Sequence, residues 1–190
     1  MTLRRAAFLD RDGTIIEDVE YISRPEDVAL RPGAAEAIQL LNDNDIAAVV
    51  ITNQSGIARG QFTLADYEAV RARVTDVLAE HDAQIDATYY CPHHPDFGGA
   101  CQCRKPGTLL FDLAIADLGI DPRLSMFAGD RLRDVMPARK YGGTAYLISA
   151  PSTPSGELDD ATNGGIEIVT SLREAVQSFL ASVSRGERSR

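Results

Sequence analysis

At 190 residues with a formal net charge of −9, the chain is long enough for one domain with a real core. It carries the wrong sign of charge for a general nucleic-acid binder, since phosphate backbones need a basic face. Its composition, 44% hydrophobic and 25% charged, is that of an ordinary soluble globule. No apolar run approaches the roughly 20 residues that span a bilayer. Met1–Arg5 is too short and too basic for a signal-peptide core, so a cytoplasmic protein with no membrane partner is expected.

The elements alternate. A buried strand is expected at Ala6–Leu9, followed by a polar connection, Glu17–Pro32, read as a loop or small hairpin. From about Gly33, Ala34, Ala37, Ile38 and Leu41 fall on one helical stripe. A second strand, Ile46–Ile51, runs into Thr52-Asn53-Gln54-Ser55-Gly56. Thr63 caps a helix whose stripe is Tyr67, Val70, Val74, Val77 and Leu78. A short strand near Ala87–Tyr90 leads to a cysteine loop, 91–103. Beyond Pro106 a helix carries Phe111, Ala114, Ile115 and Leu118 on one face. The strand Ser125–Ala128 ends at Gly129-Asp130, a short helix begins near Leu132, and Thr144–Ser149 is the next strand. Ala150–Gly165 reads as a surface loop, Ile166–Val169 as an edge strand, 171–183 as a last helix, and Ser184–Arg190 as a frayed tail. Strands alternating with helices predict an α/β fold with a parallel, Rossmann-like sheet flanked by helices. The reading is one domain over 1–184 and a flexible tail over 185–190.

Chemistry gathers where strands end. Phe8-Leu9 gives way abruptly to Asp10-Arg11-Asp12-Gly13-Thr14. On an extended chain residues i and i+2 point the same way, so Asp10 and Asp12 can converge on one small volume. Two carboxylates there repel unless a cation sits between them, and Mg²⁺, which takes oxygen ligands and substrate phosphate, suits the place. Thr52 and Asn53 end the second strand and Asp130 ends the fourth, all on the edge where open α/β sheets bind ligands. A DxD pair of the kind that holds metal and nucleotide-sugar in glycosyltransferases is a rival for Asp10 and Asp12. It leaves Gly13-Thr14, Thr52 and Lys105 unexplained.

Three cysteines, Cys91, Cys101 and Cys103, lie within thirteen residues alongside His93 and His94. Three thiols and one imidazole can close a tetrahedral, structural Zn²⁺ site. Such a site would staple a polar, Gly-rich loop and fix Arg104 and Lys105 beside it. His81, with no partner nearby in sequence, reads as a surface residue.

The ordered set Asp10-Arg11-Asp12-Gly13-Thr14, Thr52, Lys105 and Gly129-Asp130 with Asp134 resembles the four motifs of the haloacid-dehalogenase superfamily. The resemblance implies Asp10 as a nucleophile giving an aspartyl-phosphate and Asp12 as general acid and base. It implies Thr52 and Lys105 as contacts of the phosphoryl group. Mg²⁺ would be held by Asp10, the Asp12 backbone carbonyl and Asp130, with Asp134 acting through water. Cys91-Pro-His93-His94, Cys101-Gln-Cys103-Arg104-Lys105-Pro106 and Thr52–Gly60 narrow the likeness to the capless branch of heptose-bisphosphate and histidinol-phosphate phosphatases. That branch implies Cys91, His93, Cys101 and Cys103 as zinc ligands, with His94 outside. It also implies substrate contacts from Asp18, Val19, Glu20 and Tyr21, from Thr52, Asn53, Gln54 and Ser55, and from Arg104, Lys105 and Arg131.

The leading expectation is a monomeric phosphatase of a small phosphorylated sugar, cleaving the 7-phosphate of a heptose 1,7-bisphosphate on the way to nucleotide-activated heptose. A histidinol-phosphate phosphatase is the second. A zinc-stabilised binding protein without turnover is the third, against which stands the complete set of nucleophile, acid/base and phosphate contacts.

Overall fold

The buried stretch Ala6–Leu9 forms strand β1, and the chain is arranged around it. The computed structural model describes residues 3–188. Strands β2 (Ala47–Asn53), β3 (Ala87–Cys91), β4 (Met126–Gly129), β5 (Thr144–Ile148) and β6 (Glu167–Val169) complete one sheet in the order β3-β2-β1-β4-β5-β6. Every pairing is parallel. β1 therefore sits between β2 and β4. The chain winds outward to β3 and then returns to the other side of β1, and at that reversal the carboxyl ends of β1 and β4 open a crevice.

Both faces of the sheet are covered, as a parallel sheet requires. Alternation decides which side chain serves which face. Ala7, Leu9, Ala48 and Val50 pack with α1 (Ala34–Asp43), α2 (Leu64–Ala79) and α7 (Leu172–Arg188). Ala6, Phe8, Ala47, Val49 and Ile51 pack on the other face with α3 (Leu109–Leu118), with Ala138 of α5 (Pro137–Tyr141), and with Cys91 and Cys103. Phe8, Phe111 and Phe127 meet there at ring separations of 4.8 to 5.6 Å. On α2 the residues buried at helical spacing are Tyr67, Val70, Val74 and Leu78, with Val77 half-buried. Thr63 and Asp66 close a reciprocal capping box at its start.

The structure departs from the sequence reading in two stretches, 150–165 and the C-terminal helix. The segment 150–165 is not all loop: Ser155–Asn163 forms helix α6, whose one fully buried side chain is Ala161. Its apolar signal is too thin to show as a stripe, and the helix is held by a polar contact described below. The final helix α7 continues to Arg188 rather than ending near 183, so most of the expected tail is helical; Ser189 and Arg190 lie outside the described residues. The connection 17–32 carries a 3-10 turn at Pro25–Asp27 and is tied at its base by an antiparallel bridge between Ile16 and Leu30. No large insertion interrupts the chain between Thr14 and Thr52, or between Thr52 and Lys105, among the described residues.

Candidate active site

Asp10 follows β1 directly, its N–H bonded to the Ala128 carbonyl of β4 (3.0 Å). The strand stops at Leu9, so Asp10 and Asp12 are not neighbours on an extended chain. A tight turn, with Ile15 and Ile16 N–H groups on the Arg11 carbonyl, brings Asp12 round. Both aspartates nevertheless line one cavity of about 200 Å³. Gly13 makes the turn possible twice over. It adopts φ +78°, and a Cβ there would stand 2.6 Å from Asp130 Oδ2.

Three buried carboxylates, Asp10, Asp130 and Asp134, each offer an oxygen within 4.8 Å of the others. The Lys105 ammonium is set among them, donating to Asp10 Oδ1 (2.6 Å) and the Ile51 carbonyl (2.5 Å) and pairing with Asp134 Oδ1 (2.8 Å). Burial pushes the Asp10 carboxyl up against the pull of Lys105, and the Asp134, Asp12 and Asp130 carboxylates push it further. Burial works against the Lys105 ammonium, yet Asp10 and Asp134 outweigh it and hold its pKa above the ordinary value. Burial likewise raises Asp130 to about 6, while the Ser152 hydroxyl, 2.7 Å from its Oδ2, pulls the other way. Three carboxylates against one ammonium leave an excess of negative charge. The donor set is oxygen alone, and it fits a hard divalent cation.

Asp12 is held differently. Arg11 grips both its oxygens (3.0 Å each), and Gln54 Nε2 bridges Asp12 Oδ2 (2.9 Å) and Thr52 Oγ1 (2.8 Å). Of the other expected contacts, Asp18, Val19, Glu20, Tyr21, Thr52, Asn53, Gln54, Ser55 and Arg131 all line the cavity. Asn53 does more than line it. Its side-chain amide clamps the Lys105 backbone, accepting from N–H (3.0 Å) and donating to C=O (3.3 Å), which aims the lysine at Asp10. Arg104 and Lys105 are the exceptions, for neither is a lining residue. Lys105 is buried between Asp10 and Asp134, and the Arg104 guanidinium leans back to the His93 carbonyl (3.4 Å). Arg131 lines the cavity, but its Nε and an Nη both donate to Glu157 Oε1 of α6 (2.9 and 2.5 Å).

Behind Lys105, Cys91, His93, Cys101 and Cys103 converge. Sulfur separations are 3.1 to 3.6 Å, and His93 Nδ1 lies 3.2 Å from Cys103 Sγ. Zn–S bonds of about 2.3 Å call for sulfurs roughly 3.8 Å apart in a tetrahedron, so four such ligands fit one small ion. His94 points elsewhere, with Nε2 at 2.8 Å from an Nη of Arg59 and Nδ1 accepting from the Asp96 N–H. The loop grips the site through Gln54, whose backbone N–H bonds the Cys91 carbonyl (2.7 Å).

A family model described as HAD-hydrolase-like matches residues 102–175. The D-glycero-beta-D-manno-heptose-1,7-bisphosphate 7-phosphatase of Escherichia coli O6:H1 is 36% identical over 178 residues, covering 90% of this chain and 94% of its own. The chain belongs to the haloacid-dehalogenase-like hydrolases. A crystal structure of D,D-heptose 1,7-bisphosphate phosphatase from B. bronchiseptica, complexed with magnesium and phosphate, matches this haloacid-dehalogenase fold with a TM-score of 0.83. It is 29% identical and covers 94% of this chain and 99% of that one. The enzyme of the same description from Burkholderia thailandensis gives 0.68 at 28% identity, covering 93% and 99%.

For a haloacid-dehalogenase-like phosphatase the chain carries several site residues that sequence reasoning missed. Ser152 and Thr153 hold Asp130 by its side chain and by its carbonyl (2.7 Å each). Glu157 anchors Arg131, and Arg133 lines the cavity. The first three come from the segment taken for plain loop, where nothing in the local pattern marks a partner more than twenty residues away. Arg133, between two motif residues, was visible as a cation one helical step from Asp134.

Proposed function

We propose that this phosphatase removes the 7-phosphate of D-glycero-D-manno-heptose 1,7-bisphosphate through an aspartyl-phosphate on Asp10. The observation that carries the reading is the Lys105 ammonium between Asp10 and Asp134, two carboxylates that line one cavity together with Asp12. The high-coverage relatives bearing that substrate's name support the choice of sugar.

The steps follow from the side chains. Asp10 presents its free oxygen to phosphorus in line with the leaving alkoxide, and the P–O bond to the sugar breaks as the carboxylate–phosphorus bond forms. Asp12 protonates that alkoxide, a poor leaving group, and later takes the proton of the water that hydrolyses the aspartyl-phosphate. Gln54 and Arg11 hold Asp12 in place for both transfers. Lys105 offsets charge on the phosphoryl oxygens.

 

Thr52 is 1% exposed and lines the cavity, and its hydroxyl is placed to contact a phosphoryl oxygen. Mg²⁺ held by Asp10 and Asp130, with the Asp12 carbonyl and Asp134 in support, would supply further charge neutralisation at the phosphoryl group. Zn²⁺ on Cys91, His93, Cys101 and Cys103 would be structural, since all four positions are taken by protein.

The test is phosphate release, with Mg²⁺, from both anomers of heptose 1,7-bisphosphate and from histidinol phosphate in parallel. At least a tenfold advantage in kcat/KM for one heptose anomer is expected. A preference for histidinol phosphate would overturn the substrate while leaving the chemistry on Asp10 intact.

A further inference from the structure

Two arginines follow Asp130, and the fold treats them differently. Arg131 has Nε and an Nη on Glu157 Oε1, while Glu157 Oε2 accepts from the Leu132 N–H (2.5 Å). Its charge is answered within the protein. Arg133, on the short helix α4 (Leu132–Val135), also lines the cavity, yet its buried Nε has no hydrogen-bond partner among the described residues. Asp134 Oδ1 lies 3.9 Å from that Nε, and Lys105 already pairs with the same oxygen at 2.8 Å.

Arg104, the other arginine expected at the substrate, is half-buried and turned to the His93 carbonyl (3.4 Å). The carboxylates of Asp18, Asp130 and Glu157 also feel the Arg133 charge, yet none of them closes a fork on its guanidinium, and its Nε is left without an acceptor. An anion with several oxygens would supply one, since a guanidinium presents a planar fork that matches phosphate.

We propose that Arg133 is a specificity-determining residue that receives the second, non-reacting phosphate of a bisphosphorylated substrate, while Glu157 keeps Arg131 from that task. The inference rests on the sugar-bisphosphate reading above. It adds which cation of this chain distinguishes a bisphosphate from a monophosphate.

The experiment compares heptose 1,7-bisphosphate with heptose 7-phosphate on the wild type, Arg133→Gln and Arg133→Lys. In Arg133→Gln, kcat/KM for the bisphosphate should fall at least tenfold, mainly through KM, and much less for the monophosphate, so that the preference between them collapses. Arg133→Lys, a cation without the fork, should recover part of the preference. Equal losses on both substrates, or a preference that survives in Arg133→Gln, overturn the assignment and leave the substrate reading standing. A wild type with no preference for the bisphosphate overturns both.

Discussion

The Glu157 carboxylate takes two N–H donors of Arg131 on one oxygen and the Leu132 N–H on the other, across 26 residues of chain. Helix α6 is thereby fastened to the turn that carries Asp130. Burial disfavours the Glu157 charge, but the bonds from Arg131 and Leu132 outweigh it and hold its pKa below the ordinary 4.5.

Glu157→Gln should therefore lose about 1–2 kcal/mol of stability near neutral pH, the scale of a charge-assisted hydrogen bond. The folded pKa lies below the unfolded one, so the contribution is complete above about pH 4.5 and fades as pH falls through the folded value. Urea unfolding of both proteins at pH 7 and near pH 3 checks this. A gap that persists unchanged in acid would rule out the charge as its source.

Asp10→Asn should lower kcat by at least about 10³-fold, as loss of a nucleophile does. Because burial and neighbouring carboxylates disfavour the Asp10 charge, its melting temperature should hold or rise. Asp12→Asn should cost roughly 10²–10⁴-fold on a sugar phosphate, and less on p-nitrophenyl phosphate, whose leaving group needs no proton. Full activity in Asp10→Asn would dismiss the nucleophile.

Lys105→Met removes the counter-charge of Asp10 and Asp134. Without added Mg²⁺ it should be destabilised by about 3–5 kcal/mol, the range for breaking a buried pair, and saturating Mg²⁺ should narrow the deficit. Thermal melts with and without the ion decide. Identical deficits in both would show that Mg²⁺ and the ammonium do not neutralise the same carboxylates.

Protein purified without chelator should contain one zinc per chain. Stripping that zinc should lower the melting temperature by about 10 °C or more, since metal binding is folding free energy. Activity should fall with it, because the Cys91 carbonyl holds the Gln54 N–H. Metal analysis and melts of Cys103→Ser provide the check, and a wild type free of zinc would refute the site.

The strand ends were legible because they combine two signals, a buried apolar run and an abrupt change to acid or amide. That combination located Asp10, Thr52 and Asp130 on one edge. Spacing marked the cysteine loop as a candidate metal site, and the family resemblance implied His93 rather than His94, the imidazole that converges with the three sulfurs. Helix α6 was not, because only Ala161 is fully buried and the turn-forming Ser, Pro, Gly and Asp around it match a loop. Nor was the pairing of Arg131 with Glu157, since that partner is set by tertiary placement alone. Asp12 reached the cavity by a turn where an extended strand was expected, so the right neighbours followed from the wrong local geometry.

The position of β1 between β2 and β4 has a kinetic consequence. Asp10, Thr52, Lys105 and Asp130 come from four separated parts of the chain, and they meet only after β4 has crossed beneath the sheet to pair with β1. Such distant pairings form late and slowly. During refolding, helical signal should return ahead of phosphate release, and the recovery of turnover would time the docking of the second half of the sheet onto the first.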